Sequence, residues 1–456
     1  MKITVFGSGY VGLTQAICLA QVGHEVCCVD VDQARITQLG QGRSPLHEPG
    51  LAELLQDSLA SGRLLFTADT KAGVEFSQVL FIAVGTPAGE DGSADLRQVF
   101  DVVDGIARYA RTGKLLFNKS TCPVGTVQRI TARLSAQRKT MAGIPPFEVV
   151  SNPEFLREGS AIDDCMAPER IIVGVDGEPS SVLMATLDKL FRPFYDKPEQ
   201  LILMCSRSAE LTKYAANSML ATRISFINEM ANLAERLGAD IEMVSKGIGS
   251  DTRIGHHFLR AGSGFGGSCF PKDLQALRHM ASSVGYEAQL LDAVESINRR
   301  QRHRVFQSIL YHYEHNLIGK TIALWGLSFK PGTDDMRDAP SRTLLEDLWA
   351  MGACVRAFDP EAMVEAQRTY GKRPDLYLAK TKEEVLEGAD ALVIVTEWPQ
   401  FYQADIGMLR RCLRDGVVFD GRNLFEPAAL AEAGLSYYSI GRAIVDVRIP
   451  NATAFA

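Results

Sequence analysis

Residues 2 to 30 constrain the fold more than any other stretch. A short apolar run, Lys2 to Phe6, ends in Gly7-Ser8-Gly9-Tyr10-Val11-Gly12. A helical pattern follows at Leu13, Ile17 and Ala20, then Gly23 and a second strand from Glu25 to Val29 that stops at Asp30. Strand, glycine turn, helix, strand and acidic residue in this order predict a dinucleotide-binding βαβ unit. Gly7 makes the tight turn, Gly9 admits a pyrophosphate and Gly12 lets the helix pack closely. Asp30 would accept hydrogen bonds from an adenosine ribose and repel a 2′-phosphate, which favours NAD over NADP.

Further strands are predicted at 79–84, 115–118 and 147–151, each mostly apolar and separated by helical patterns. That alternation predicts a parallel, doubly wound sheet. Gly85-Thr86-Pro87 and Ser120-Thr121-Cys122-Pro123 sit just past two strand ends, where such sheets bind ligands. From about Ala209 to Gly238 a long helix is predicted, with Leu220, Ile224, Ile227, Ala231 and Ala234 as its apolar stripe. Such a helix would support both domains and a subunit interface. Beyond residue 319, Lys320 to Gly326, a helix from about Ser341 and Ala353 to Phe358 repeat the opening topology and end at Asp359. Strands 391–395 and 417–420 follow. Here Trp325-Gly326-Leu327 replaces the glycine fingerprint, so this half suits a different nucleotide, such as a sugar nucleotide. The expected fold is α/β: two Rossmann-like doubly wound domains joined by a long central helix. The expected domains are 1–205, 206–312 and 313–456.

A chain of 456 residues is too long for one core. Its net charge of -7 and the want of a basic block argue against nucleic acid as a partner. The opening has no signal-peptide architecture, and no apolar run reaches about 18 residues, so a cytoplasmic protein that does not enter a membrane is expected. Nine cysteines lack metal-like spacing; reduced thiols and no bound metal are expected.

Gly264-Phe-Gly-Gly-Ser-Cys-Phe-Pro-Lys-Asp273 carries the chemistry. Its glycines let the backbone lie close against a ligand, and Pro271 suits the first turn of a helix. Cys269 would then sit at a helix N-terminus with Lys272 nearby, an environment that favours the nucleophilic thiolate. A cysteine beside a nicotinamide cofactor suggests thiohemiacetal chemistry.

With Asn-Pro-Glu-Phe-Leu-Arg-Glu-Gly (152–159), Lys-Tyr-Ala-Ala-Asn (213–217) and Phe-Lys-Pro-Gly-Thr-Asp-Asp-Met-Arg (329–337) added, the chain resembles the UDP-glucose/GDP-mannose dehydrogenase family over its whole length. The resemblance implies two NAD-dependent oxidations of a sugar-nucleotide C6 alcohol to a carboxylate, with UDP-glucose favoured by Cys-Phe-Pro-Lys-Asp. It implies Cys269 as nucleophile, Lys213 and Asn217 as oxyanion donors, Asp273 in proton transfer, Glu154 as base and Thr121 positioning water. Gly7 to Gly12, Asp30, Arg35, Gly85, Thr86, Ser120, Thr121, Glu158, Lys272 and Arg337 would hold NAD. Glu154, Phe155, Leu156, Arg157, Lys213, Asn217, Phe258, Leu259, Arg260, Phe265, Gly266, Phe329, Lys330 and Arg422 would hold the UDP-sugar. Arg253 would reach a neighbouring subunit's substrate, so a homodimer or larger is implied. Cys122 stands where many relatives carry an aliphatic residue. GDP-mannose, a UDP-N-acetylhexosamine, or a two-electron hydroxyacid reaction that needs no Cys269 are the alternatives.

Overall fold

The computed structural model describes residues 1–138 and 147–448. The chain divides into two compact units, Met1–Ala216 with Gln275–Tyr286, and Asn217–Leu274 with Glu287–Ala456.

The first unit is built on eight strands: β1 (Lys2–Phe6), β2 (Glu25–Val29), β3 (Leu64–Thr67), β4 (Val79–Ile82), β5 (Leu115–Asn118), β6 (Glu148–Ser151), β7 (Ile171–Gly174) and β8 (Leu201–Met204). Their order is β3-β2-β1-β4-β5-β6-β7-β8. Strands β4 and β5 are buried at every position, which is why they read as unbroken apolar runs. The order reverses between β1 and β4, the switch point where a doubly wound sheet opens its ligand crevice. Pairing is parallel except between β6 and β7, which meet antiparallel at Ser151 and Gly174. The strands expected from the sequence, β1, β2, β4, β5 and β6, all pair parallel, and the antiparallel step lies beyond them. Gly174 is required there, because a Cβ would stand 2.5 Å from that of Ala209 and 2.7 Å from Ser206 Cα.

The second unit has six parallel strands: β9 (Thr321–Trp325), β10 (Cys354–Phe358), β11 (Leu376–Leu378), β12 (Ala391–Ile394), β13 (Val417–Asp420) and β14 (Ser436–Ser439). The order β11-β10-β9-β12-β13-β14 again reverses beside its first strand. Strands β3, β7, β8, β11 and β14 escape the sequence reading; each is only three or four residues long, too short for its periodicity to tell strand from helix, and β14 begins and ends on serine rather than an apolar residue.

Four helices matter for the site: α1 (Tyr10–Gln21), α2 (Ser206–Leu237), α3 (Phe270–Ser283) and α4 (Gln289–Arg302). Helix α2 has 32 residues, and its first residues belong to one unit and the rest to the other. Ile227, Ala231 and Ala234 of the expected stripe lie in the second unit's core. A neighbouring side leaves Met219, Phe226, Leu233 and Leu237 exposed at spacings of seven, seven and four. A dense basic stretch from Arg299 to Arg304, which the sequence reading passed over, is spent largely on internal pairs. Arg304 meets Glu235, Arg302 lies 3.7 Å from Asp338, and His303 lies 2.6 Å from Asp347.

Candidate active site

In the first unit the glycine fingerprint folds as its spacing requires. Gly7 has φ +104, and its N–H donates to the Val29 carbonyl at 2.8 Å. A Cβ at Gly7 would lie 2.4 Å from the Ala83 carbonyl oxygen, and one at Gly12 would lie 2.0 Å from that of Gly7. At Gly9 nothing stands within 4 Å of that position, and the start of α1 has no side-chain cap. Unsatisfied N–H groups at an open helix N-terminus suit a pyrophosphate. Asp30 is oriented from below: the N–H and hydroxyl of Ser8 both donate to Oδ2 at 2.7 Å, and the Asp32 N–H donates to Oδ1. Burial raises its pKa, but these donors and Arg35, at 3.8 Å, outweigh it and hold it below the usual carboxylate value. The arrangement fits a dinucleotide with two free ribose hydroxyls.

Two loops at the same sheet edge are joined, for Thr86 Oγ1 donates to the Thr121 carbonyl at 2.8 Å. Ser120 Oγ donates to the Val84 carbonyl at 2.8 Å, beside Gly85. Tyr10 hydrogen-bonds Glu48, a buried carboxylate that also accepts the N–H groups of Gly159 and Ala161, each at 2.6 Å. The glycine turn is thereby tied to the loop carrying Glu154 and Glu158. Cys122 is buried in the core rather than open to a cofactor.

Glu154 and Lys213 form a buried ion pair, Oε1 to Nζ 2.8 Å, with side chains 7% and 4% exposed. Glu154 also accepts the Leu156 N–H at 2.6 Å. Burial pushes its pKa up, yet Lys213, that N–H and Lys119 prevail, so it is held below the usual range. Lys119 is itself buried, with Nζ 3.1 Å from Asn152 Oδ1, and burial lowers its pKa. The sequence reading missed Lys119; nothing but its place at the end of β5 could have flagged it. Phe155 lies under the guanidinium of Arg170 at 4.1 Å and under Lys213 at 5.4 Å, while Arg157 points outward to Asp164.

The second unit carries the thiol. Cys269 immediately precedes α3, and its carbonyl accepts the Asp273 N–H at 2.9 Å, the first turn that places the two residues together. Asp273 is 1% exposed. Its Oδ2 accepts from Asn217 Nδ2 at 2.6 Å and its Oδ1 from Lys272 Nζ at 2.5 Å. Lys272 therefore serves a carboxylate on its own helix. Lys213 and Asn217 are one turn apart on α2 and both buried, unlike ordinary solvated polar residues.

The remaining predicted residues of this unit differ in burial and in their partners. Phe265 is buried and Leu259 is 3% exposed, whereas Phe258 has φ 60 and is exposed. Arg422 Nε donates to the Val395 carbonyl at 2.7 Å and lies 3.1 Å from Glu397. Arg260 donates to the Tyr402 hydroxyl and, at 3.3 Å, to the Arg422 carbonyl. Lys330 lies 5.6 Å from the centre of the Phe329 ring. Arg337 pairs with Asp335 at 2.7 Å. Arg253 stands apart: its side chain is 87% exposed and engages Asp251 two residues before it. Among the described residues no cluster of three His, Cys, Asp or Glu could hold a metal ion, and no helix is long and apolar enough to cross a membrane.

Three domain models of the UDP-glucose/GDP-mannose dehydrogenase family match the chain: the NAD binding domain at residues 1–195, the central domain at 207–300 and the UDP binding domain at 323–427. The chain is 47% identical to a UDP-glucose 6-dehydrogenase of Pseudomonas aeruginosa, over 97% of this chain and 98% of that one. It is 42% identical to one of Bacillus subtilis, with 98% of each covered. Its fold is similar to a UDP-glucose dehydrogenase of Pyrobaculum islandicum at a TM-score of 0.87 and 37% identity, over 97% and 98% of the two chains.

Proposed function

The chain belongs to the UDP-glucose/GDP-mannose dehydrogenase family, and from that premise we propose that it oxidises UDP-glucose at C6 to UDP-glucuronate with NAD, through a thioester on Cys269. The observation that carries this reading is Cys269 at the start of α3, one turn before a buried Asp273 that Asn217 and Lys272 both engage.

Alcohol to acid is a four-electron change. Bound NAD supplies the hydride acceptor for each two-electron half, so the aldehyde must be held between the halves. Cys269 does this as a thiolate that adds to the aldehyde carbon; the new alkoxide takes a proton and becomes a thiohemiacetal. Oxidation of that adduct leaves an acyl group on sulfur. Water then attacks the acyl carbon, the C–S bond breaks, and carboxylate and thiolate are released.

Lys213 and Asn217 donate to the oxygen on the reacting carbon, whose charge grows as the carbon becomes tetrahedral. Asp273 exchanges protons at that oxygen. Glu154, kept ionised by Lys213, accepts the proton of the attacking water. Its basicity is low while the lysine charge rests on it, and rises when that charge is drawn to substrate oxygen. Thr121 positions the water. The first unit supplies Gly7 to Gly12, Asp30, Arg35, Gly85, Thr86, Ser120 and Glu158 for NAD; Lys272 and Arg337 complete the set. Phe155, Leu156, Arg157, Phe258, Leu259, Arg260, Phe265, Gly266, Phe329, Lys330 and Arg422 hold the UDP-sugar. We keep residues 1–205, 206–312 and 313–456 as the functional domains. The exposed apolar residues of α2 and the outward Arg253 support a homodimer or larger in which Arg253 serves the partner's substrate. A cytosolic location accords with nine thiols, none in a disulfide.

The test is the ratio of NADH formed to sugar nucleotide consumed across a panel of UDP- and GDP-sugars. Two NADH per UDP-glucose, with weaker turnover of the others, is the expected outcome; a ratio of one contradicts the reading.

A further inference from the structure

From Ala261 to Ser268 the backbone is neither helix nor strand, and four of these residues are glycine. Each glycine admits a protein group where a Cβ would stand. Arg422 Nη1 lies at 2.9 Å from that point in Gly262, Asn298 Oδ1 at 2.7 Å in Gly264, the Asp338 carbonyl oxygen at 2.1 Å in Gly266 and the Phe329 ring at 2.8 Å in Gly267. The glycines thus let neighbours of the same unit reach the loop, not a ligand alone as the sequence suggests.

A segment this rich in glycine loses unusually much entropy when it is fixed, so its shape must be imposed by partners. Three buried side-chain amides impose it. Asn228 Oδ1 accepts the Gly262 N–H at 2.8 Å, and Gln301 Nε2 donates to the Gly262 carbonyl at 2.7 Å. Asn298 grips both sides of one residue: Oδ1 accepts the Phe265 N–H at 2.8 Å while Nδ2 donates to the Phe265 carbonyl at 3.1 Å. Arg302 adds a bond to the same carbonyl at 3.0 Å. Asn298 is 5% exposed, and Gly264 lies against its amide with φ +91.

We propose that Asn298, through its paired hydrogen bonds to the Phe265 backbone, is a positioning residue that sets the glycine loop and, four residues on, the placement of Cys269 at the start of α3. The inference rests on the reading of Cys269 as nucleophile. It adds a buried residue on α4 outside the set proposed to hold substrate and coenzyme. Removing the grip lets the loop drift, and a drift of about 1 Å at a reacting centre costs up to about 100-fold. The thiol also leaves the helix terminus that favours its thiolate.

The experiment is alkylation of each cysteine by iodoacetamide at neutral pH, followed by peptide mass spectrometry on N298A and wild type without substrate or coenzyme. Cys269 is expected to react at least about threefold more slowly in N298A, with exposed Cys205 and Cys354 unchanged as internal references. Steady-state kinetics should show the KM for UDP-glucose rising about tenfold and kcat falling, while the KM for NAD stays within about twofold. Gly264→Ala, which pushes a methyl against the Asn298 amide, should act in the same direction and add less in the N298A background than in wild type. Should N298A not fold, N298D keeps the acceptor for the Phe265 N–H and carries the same readouts. A lowered melting temperature with Cys269 reactivity and KM unchanged overturns the proposal. Because alkylation needs no substrate, it still decides the point if wild type fails to give two NADH per UDP-glucose, the result that would instead sink the functional reading.

Discussion

In both sheets an aspartate follows the second strand, and the two are used in opposite ways. Gly7 and Gly326 both have positive φ, +104 and +95, and both pack just past the strand across the switch point, against Ala83 one residue beyond β4 and Thr396 two residues beyond β12. Asp30 and Asp359 then stand at equivalent places, after β2 and β10. Asp30 takes two donors on Oδ2 and one on Oδ1 and remains 12% exposed. Asp359 is wholly buried. Its Oδ2 accepts from the Leu327 and Ser328 N–H groups, the Ser328 hydroxyl and the Trp398 indole, and its Oδ1 from the N–H groups of Glu361 and Ala362. One carboxylate keeps capacity for a ribose. The other has been sealed into the scaffold, with every one of these donors coming from the protein itself, the Trp398 indole among them. The same topology therefore supplies a dinucleotide cradle once and a structural knot once.

The largest effect that could break this contrast is on stability. Asp359→Ala leaves its donors buried without an acceptor and should lower unfolding free energy by about 3–5 kcal/mol, read from urea titration, with the KM for NAD unchanged in any folded fraction. Asp30→Ala should do the reverse: a KM for NAD raised about 10- to 100-fold and a stability change under about 1 kcal/mol. Equal kinetic effects from the two variants would erase the distinction.

The smallest effect concerns acid. In the second unit burial, and then Arg448, push the His312 pKa down to about 4. A histidine held neutral by folding stabilises fully above its unfolded value of about 6.5, and that contribution fades as pH falls toward the folded value. Between pH 7 and pH 5 the wild type should lose about 1–2 kcal/mol that His312→Gln does not lose, measured as urea midpoints at each pH.

The contrast also marks how far the sequence could be read. Asp30 and Asp359 both follow an apolar strand, and the broken glycine fingerprint after Trp325 separates them, because Ser328 stands two residues past the turn glycine where Gly9 leaves room for a phosphate. Cys269 at a helix start was legible from Pro271. Asn228, Asn298 and Gln301 were not. They are polar residues on helices, their partners lie more than thirty residues away in a loop without periodicity, and a polar position on a helix normally means solvent. Burial of Lys213 and Asn217 was hidden for the same reason, and that of Lys119 because a lysine after a strand normally reaches water. The outer face of α2 was also overlooked, since Met219, Phe226 and Leu233 recur at seven and the shorter spacings of the inner stripe mask them.

Covalent capture by Cys269 is the claim on which the rest turns. Rapid acid quench of wild-type protein turning over UDP-glucose and NAD, with mass analysis of the peptide around Cys269, tests it most directly. A UDP-glucuronyl adduct on that cysteine, lost on treatment with hydroxylamine and absent from Cys269→Ser, is the predicted result. An unmodified Cys269 under full turnover, with free aldehyde accumulating in solution, would contradict the account.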